Sequence, residues 1–422
     1  MNLTTKHLAV VLLTLCLTPL QAQDADENVY PEPPGKEVYI PEELRGNAFT
    51  SNDSKWSFAR CAYTDDVIVF WEKPFGMDLS KAPDLDGHKM TVDLPNLLKR
   101  IQSFYDFYKY DLEFIKKGSN ADKYRMMVML NYSLEGTAYG GDYDNVIGAL
   151  WIAPNRVQDE KLNCIAHELG HSFQSMISID NKGAGLGGGI YEMTSQWMLF
   201  NVNPEWPTDE NYHWKAFVKN ANLRFLAGEN IYHSPYILEY WSQKHGLKVM
   251  GDLFRAGKRG EDPASTYMRM FKLSNEDFAK ECVDCYSRLL TFDFKGKHEM
   301  NKKYAGEFVN YDPLEEFGAN VLRLDRKNFR NVRVNFEGTG DEATDGYAYR
   351  LVAVNDKAEA KYGKICTKHK GTVKMTLPKD TKDVYIVITG YPKGEYKPQV
   401  FNPYQRNREQ EKEHIYGYKI NP

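Results

Sequence analysis

Near residue 303 the hydrophobic period of this chain changes. From about 157 to 295 apolar residues recur at three- and four-residue intervals, interrupted by the glycine-rich "KGAGLGGG" at 182–189. Beyond 303, "NVRVNFEG", "GYAYRLVAVN", "GTVKMTLP" and "DVYIVITGYP" alternate apolar and polar residues, with turn residues between them. One element cannot serve both periods, so helices give way to strands there. The first half also holds short β-type runs: "DDVIVFWEK" (65–73), "KYRMMVMLNYS" (123–133) and "NVIGALWIAP" (145–154). Between the first two, Asp93 N-caps a long helix with Leu97, Ile101, Phe104, Tyr105 and Tyr108 on one face. The expected class is α+β, ending in a C-terminal all-β sandwich. A length of 422 residues suits two or three cores.

The N-terminus sets a separate constraint. Lys6 and His7 lead into an apolar run from Leu8 to Leu17, then Pro19 and Ala22. This is the pattern of a secretory signal cleaved near Ala22, and the run is too short for a stable membrane span. Residues 1–22 are therefore expected to be a signal peptide, and the protein secreted or periplasmic. Residues 23–54, acidic and proline-rich, read as a linker or surface wrap. A first domain over 55–298 and a β-sandwich over 303–422 follow, with the division expected near 296–307.

Cysteine and charge exclude other classes. Of six cysteines, Cys16 falls in the signal, and an odd five make no disulfide framework. Cys282 and Cys285 form a C-x-x-C within a helix that Ser274 and Asp277 cap, and no second pair completes a structural zinc site. They read as buried thiols. A net charge of −4 offers no basic surface to a nucleic acid. The glycine run lacks the Gly-Lys-Ser/Thr ending of a phosphate loop and reads as a flexible connection.

The chemistry concentrates in "CIAHELGHSFQSMI" (164–177). His167 and His171 are four apart, so a helix places both imidazoles on one face, with Glu168 beside them. Leu162, Ile165, Ala166, Leu169 and Phe173 form an apolar face next to them. Asp159 and Glu160 suit the helix start, and Gly170 marks a place where another element comes close. An ordinary amphipathic helix could carry the same residues. Glu192 shifts the balance. It lies in "GGGIYEMTSQWMLF", a nearly all-apolar segment with no cation, where an unpaired carboxylate is costly to bury. Zinc shared by His167, His171 and Glu192 removes that cost and leaves a coordination position open, with Glu168 as general base.

An H-E-x-x-H followed by a glutamate on the next helix resembles the gluzincin metallopeptidases. The resemblance implies a zincin-like first domain, His167, His171 and Glu192 as ligands, and Glu168 as base. It also implies that substrate lies along the edge strand before the zinc helix, here "NVIGALWIAP". One departure stands out. Thermolysin-like members carry E-x-x-S-D, whereas Glu192 and Ser195 are followed here by Gln196. The carboxylate that would orient a zinc-bound histidine is absent or comes from elsewhere. Residues 55–295, from "VIVFWEKPFG" through "AYGGDYDNVIGALWIAP" and "HELGHSFQ" to "YEMTSQWML", also resemble a family of secreted bacterial proteins of uncharacterised function with a gluzincin-type core. Over fewer positions, the motif is similar to that of enhancin-like, mucin-directed peptidases.

The expected function is a secreted zinc metallopeptidase acting on a protein or glycoprotein. A donor must stabilise the oxyanion. "NIYHSPYILEYW" (230–241) offers Tyr232, His233, Tyr236 and Tyr240, and "NYHW" (211–214) offers Tyr212 and His213. Tyr236 and His233 are the leading candidates. No G-x-S-x-G elbow points to serine chemistry. Two alternatives share the same residues: a glycan- or protein-binding secreted protein with a non-catalytic zinc, and a zinc hydrolase of a non-peptide amide.

Overall fold

The computed structural model describes residues 29–422 apart from 137, 182–188, 225, 298–299, 301–302, 326–329 and 400–413. The expected signal peptide and most of the glycine run lie outside the described residues.

The β-type runs of the first half assemble into one sheet. It contains β1 (Cys61–Tyr63), β2 (Val67–Trp71), β3 (Met126–Leu130), β4 (Tyr139–Tyr143) and β5 (Ile147–Ile152), in the order β1-β2-β3-β5-β4. β2, β3 and β5 run parallel, while β1 and β4 are antiparallel edges. Every residue of β2 and β3 is buried, because both faces of the sheet are covered. α1 (Leu94–Asp106) connects β2 to β3; the Asp93 carboxylate accepts from the Asn96 N–H, and Pro95 sits in the first turn. Val67, Val69, Met126, Val128 and Leu150 face the helical core. Ile68, Phe70, Met127, Met129 and Ala149 face the opposite side, where Val38, Phe49 and Trp56 of the N-terminal segment cover them. Arg125 ties that segment down, donating to the Pro34 carbonyl at 2.7 Å and the Thr64 carbonyl at 2.9 Å.

Asp144 and Asn145 join β4 to β5. Both are left-handed (φ 55° and 54°), and the Val146 N–H donates to the Tyr143 carbonyl at 2.8 Å. This is the mirror-image turn that matches strand twist. β5 is thus paired on both sides, and the open edge is β4, "YGGDY". The edge expected at "NVIGALWIAP" is therefore displaced by one strand.

The helices follow: α2 (Asn163–Asp180), α3 (Gly189–Val202), α4 (Trp206–Asp209), α5 (Tyr212–Asn220), α6 (Tyr236–His245), α7 (Val249–Ala256), α8 (Pro263–Phe271) and α9 (Asn275–Leu289). α2 lies on the first sheet, with Ser172 Oγ donating to the Ala149 carbonyl at 2.8 Å. It starts later than Asp159 and Glu160 suggest, because buried Leu162 turns left-handed (φ 53°) just before it. α9 carries the Ser274–Asp277 capping box. Cys282 and Cys285 are buried and unpaired, and burial pushes both thiols well above their ordinary value. No helix among the described residues is long and apolar enough to cross a membrane.

The C-terminal strands are β6 (Asn320–Arg323), β7 (Asn331–Gly338), β8 (Asp345–Asn355), β9 (Ala360–Tyr362), β10 (Lys370–Thr376), β11 (Thr381–Pro392) and β12 (Tyr418–Asn421). They form antiparallel sheets ordered β10-β7-β12 and β6-β11-β8-β9. Val334, Phe336, Tyr349, Leu351, Ile386 and Ile388 pack between the two. Alternate residues of the larger sheet, Val352, Tyr385 and Val387 among them, join the helical core instead. Arg350 is buried on that side, donating to Asp284 at 2.7 Å and Ser287 at 2.9 Å on α9. The apolar core therefore continues across residue 303 through Met300, Tyr304 and Phe308.

Candidate metal centre

α2 and α3 cross where Gly170 meets Ser195. A Cβ on Gly170 would lie 2.8 Å from Ser195 Oγ and 3.2 Å from its Cα, so any side chain there would displace Ser195. The crossing brings Glu192 against the two histidines. His167 Nε2 and Glu192 Oε2 are 3.1 Å apart, His171 Nε2 and Glu192 Oε2 3.2 Å, and the two Nε2 atoms 3.1 Å. Among the described residues this is the one group of His, Cys, Asp or Glu side chains close enough to hold a metal ion.

The arrangement can be tested against zinc. Bonds of about 2.0–2.2 Å at tetrahedral angles separate ligand atoms by about 3.3 Å, and the three observed distances fall just below that value. The outer ring nitrogens fix the tautomers. His167 Nδ1 lies 3.2 Å from Gln196 Oε1, while Gln196 Nε2 donates to the Tyr232 carbonyl at 3.0 Å. His171 Nδ1 lies 3.0 Å from Gln174 Oε1, while Gln174 Nε2 donates to the Tyr191 carbonyl and to Ser195 Oγ. Carbonyl acceptors orient both amides, so each amide oxygen faces a histidine and accepts from Nδ1–H. Both Nε2 atoms then carry lone pairs. With a carboxylate oxygen beside them, three acceptors converge, an arrangement that a bound cation or an added proton stabilises. Gln196 stands where thermolysin-like members carry an aspartate, and its amide oxygen faces His167 Nδ1. Gln174 has no role legible in the sequence beyond being a polar residue on a largely buried helical face.

The electrostatics agree with a cation site. Burial lowers His171, but the Glu192 carboxylate outweighs it and raises the imidazole above its ordinary value. Burial raises Glu192, yet hydrogen bonds and charge from His167 and His171 hold it well below the carboxylate range. The His167, His171 and Glu192 side chains retain 12%, 16% and 23% exposure, so the cluster can be reached from outside.

Glu168 stays out of the cluster. Burial raises its carboxyl, although both histidines and the Gly140 backbone of β4 favour its charged form. β4 lies so close to α2 that a Cβ on Gly140 would overlap the Glu168 carbonyl. Gly140, which weakens β4 as a strand, is what lets the edge lie this close to α2.

The expected oxyanion donors separate. Tyr236 is 1% exposed within Phe200, Trp214, Phe217 and Phe292, and its buried hydroxyl has no hydrogen-bond partner among the described residues. It is a packing residue closed off from any substrate, which corrects the catalytic role expected for it. Tyr232 is exposed, and its ring stacks along His167 with centroids 6.3 Å apart. His233 follows it, half-buried, with Nδ1 2.6 Å from His213 Nδ1.

A family model described as "Family of unknown function (DUF6055)" matches residues 32–421. No curated protein matches the chain in sequence. Among solved structures, the chain is similar to a ZmpB metallopeptidase from Clostridium perfringens, at 14% identity and a TM-score of 0.33, over 86% of this chain and 71% of that one.

Proposed function

This chain belongs to the DUF6055 family, and from its own residues we propose that it is a secreted zinc-dependent metallopeptidase acting on a protein or glycoprotein. One observation carries the reading: His167 Nε2, His171 Nε2 and Glu192 Oε2 converge at 3.1–3.2 Å while the adjacent Glu168 remains unengaged by them. Zinc held by three such ligands supplies a polarising charge that brings the pKa of water to about 7. Glu168 takes a proton from the attacking water at its carboxylate and passes it to the leaving nitrogen. Burial of Glu168 favours that service, since a raised carboxyl holds the proton long enough to deliver it. β4 offers an extended substrate an open edge beside Glu168. Tyr232 and His233 remain in the segment next to His167 as donors to the developing oxyanion. The paired C-terminal sheets are read as a sandwich that braces the helical core.

Cleavage of a diverse peptide library by the mature chain, with and without chelator, tests the proposal. Chelator-sensitive cleavage that Glu168→Gln abolishes is the expected result. Stoichiometric zinc with no cleavage of any peptide would overturn it in favour of a binding protein.

A further inference from the structure

The smaller C-terminal sheet carries a face that the core leaves bare. Val334 and Phe336 of β7 and Val373 and Met375 of β10 turn inward, into the core between the sheets. Their neighbours along each strand alternate with them and are exposed. The strand register sets these outward residues in rows. Arg333 stands opposite Lys374, Asn335 opposite Thr372, and Glu337 opposite Lys370. On the far side of β7, β12 adds Lys419 opposite Glu337 and Asn421 opposite Asn335. Four cations thus share the face with one carboxylate, although the chain as a whole carries a net charge of −4.

Neither charged row is balanced. Arg333 and Lys374 face each other directly, and neither has an ion-pair partner among the described residues. Like charges directly opposite on a sheet are destabilising, so this pair costs the fold stability until an anion lies over it. In the second row Glu337 meets Lys370 at 3.1 Å, which leaves Lys419 in excess. The uncharged residues add donors. Thr372 Oγ1 donates to Asn335 Oδ1 and Thr376 Oγ1 to Asn331 Oδ1, each at 2.8 Å. Both amide oxygens are thereby engaged, and both amide NH2 groups are left for a partner beyond the described residues.

Charge and donors together fit one class of partner. Arg333 and Glu337 mark rows separated by about 13 Å along β7. An extended polymer with repeated negative charges can bridge them, whereas a single small anion cannot. The outward positions of β7, β10 and β12 hold no aromatic ring to stack a nucleic-acid base. They also hold no apolar side chain to enter a bilayer. A polysaccharide needs neither, because its hydroxyl oxygens accept from amide donors. We propose that this face binds an acidic polysaccharide, with sulfates or carboxylates at the two cationic rows and hydroxyl oxygens at Asn331 and Asn335. No residue of the metal centre takes part, so the proposal goes beyond the peptidase reading and does not rest on it.

Binding to the full chain is measured at low ionic strength with heparin, polygalacturonate, neutral dextran, a single-stranded oligonucleotide and phosphatidylglycerol vesicles. At least one of the two acidic polysaccharides should bind, and dextran should not; which acid binds tells sulfate from carboxylate. Affinity should fall as salt rises, because neutralised anions release counterions. Arg333→Thr with Lys374→Thr replaces the repelling pair by a favourable cross-strand one, so Tm should not fall. It should weaken binding about tenfold or more and lower the slope of log Kd against log salt by about two. Glu337→Gln removes the one carboxylate and should tighten binding severalfold. Lys99→Gln with Lys117→Gln removes equal charge from exposed positions elsewhere and should bind as the wild type does. No binding of either acidic polysaccharide, equal loss in the two double variants, weaker binding in Glu337→Gln, or tighter binding of the oligonucleotide or vesicles overturns the proposal.

Discussion

At the scale of single residues, the centre divides into atoms that would hold a cation and atoms that aim them. Glu168→Gln should lower hydrolysis by orders of magnitude and leave zinc in place, because Glu168 lies outside the cluster of His167, His171 and Glu192. Zinc loss in that variant would make Glu168 a ligand. Gln196→Leu removes the acceptor for His167 Nδ1–H. Its zinc dissociation constant should rise by about 10- to 100-fold, measurable by competition with a chromophoric chelator; an unchanged constant would deprive Gln196 of its role. Tyr236→Phe deletes a buried hydroxyl with no partner among the described residues, so stability and cleavage should both be retained. A large loss of kcat there would return Tyr236 to the catalytic set. The helical spacing of His167 and His171 and the apolar setting of Glu192 made the three candidate ligands legible in the sequence. Tyr236 was not distinguishable from Tyr232, because both lie in one aromatic segment and only packing decides which ring turns inward.

At the scale of elements, the least legible part is the one nearest the chemistry. β4 reads "YGGDY", and two consecutive glycines carry almost no strand signal. Gly140 is there because α2 leaves no room for a side chain at 140. Gly140→Ala should push β4 off α2 at the Glu168 carbonyl and reduce cleavage far more than overall stability. Wild-type activity in that variant would mean the edge is free to move. β2, β3, β8 and β11 were readable because burial on both faces or one leaves long apolar or alternating runs. The short edge strands β1, β6, β9 and β12 were not, since three or four residues give too little period to detect.

At the scale of the whole molecule, the change of period near 303 marks a change of architecture, while the core runs through it. Arg350 reaches α9 from β8, and Val352, Tyr385 and Val387 share the helical core. A chain ending at 302 would expose that face of α9 and strand Asp284 without its buried partner. The full chain should unfold in one transition, and the 29–302 piece should fail to fold; a folded 29–302 piece by circular dichroism would make the two parts independent. All of this positions one centre, so metal content tests it most directly. Zinc measured by atomic emission on the purified chain should be about one per molecule in the wild type and in Glu168→Gln. It should be lost in His171→Ala and strongly reduced in Glu192→Gln. Stoichiometric zinc retained in His171→Ala, or none in a folded wild type supplied with zinc, would contradict the assignment of the centre.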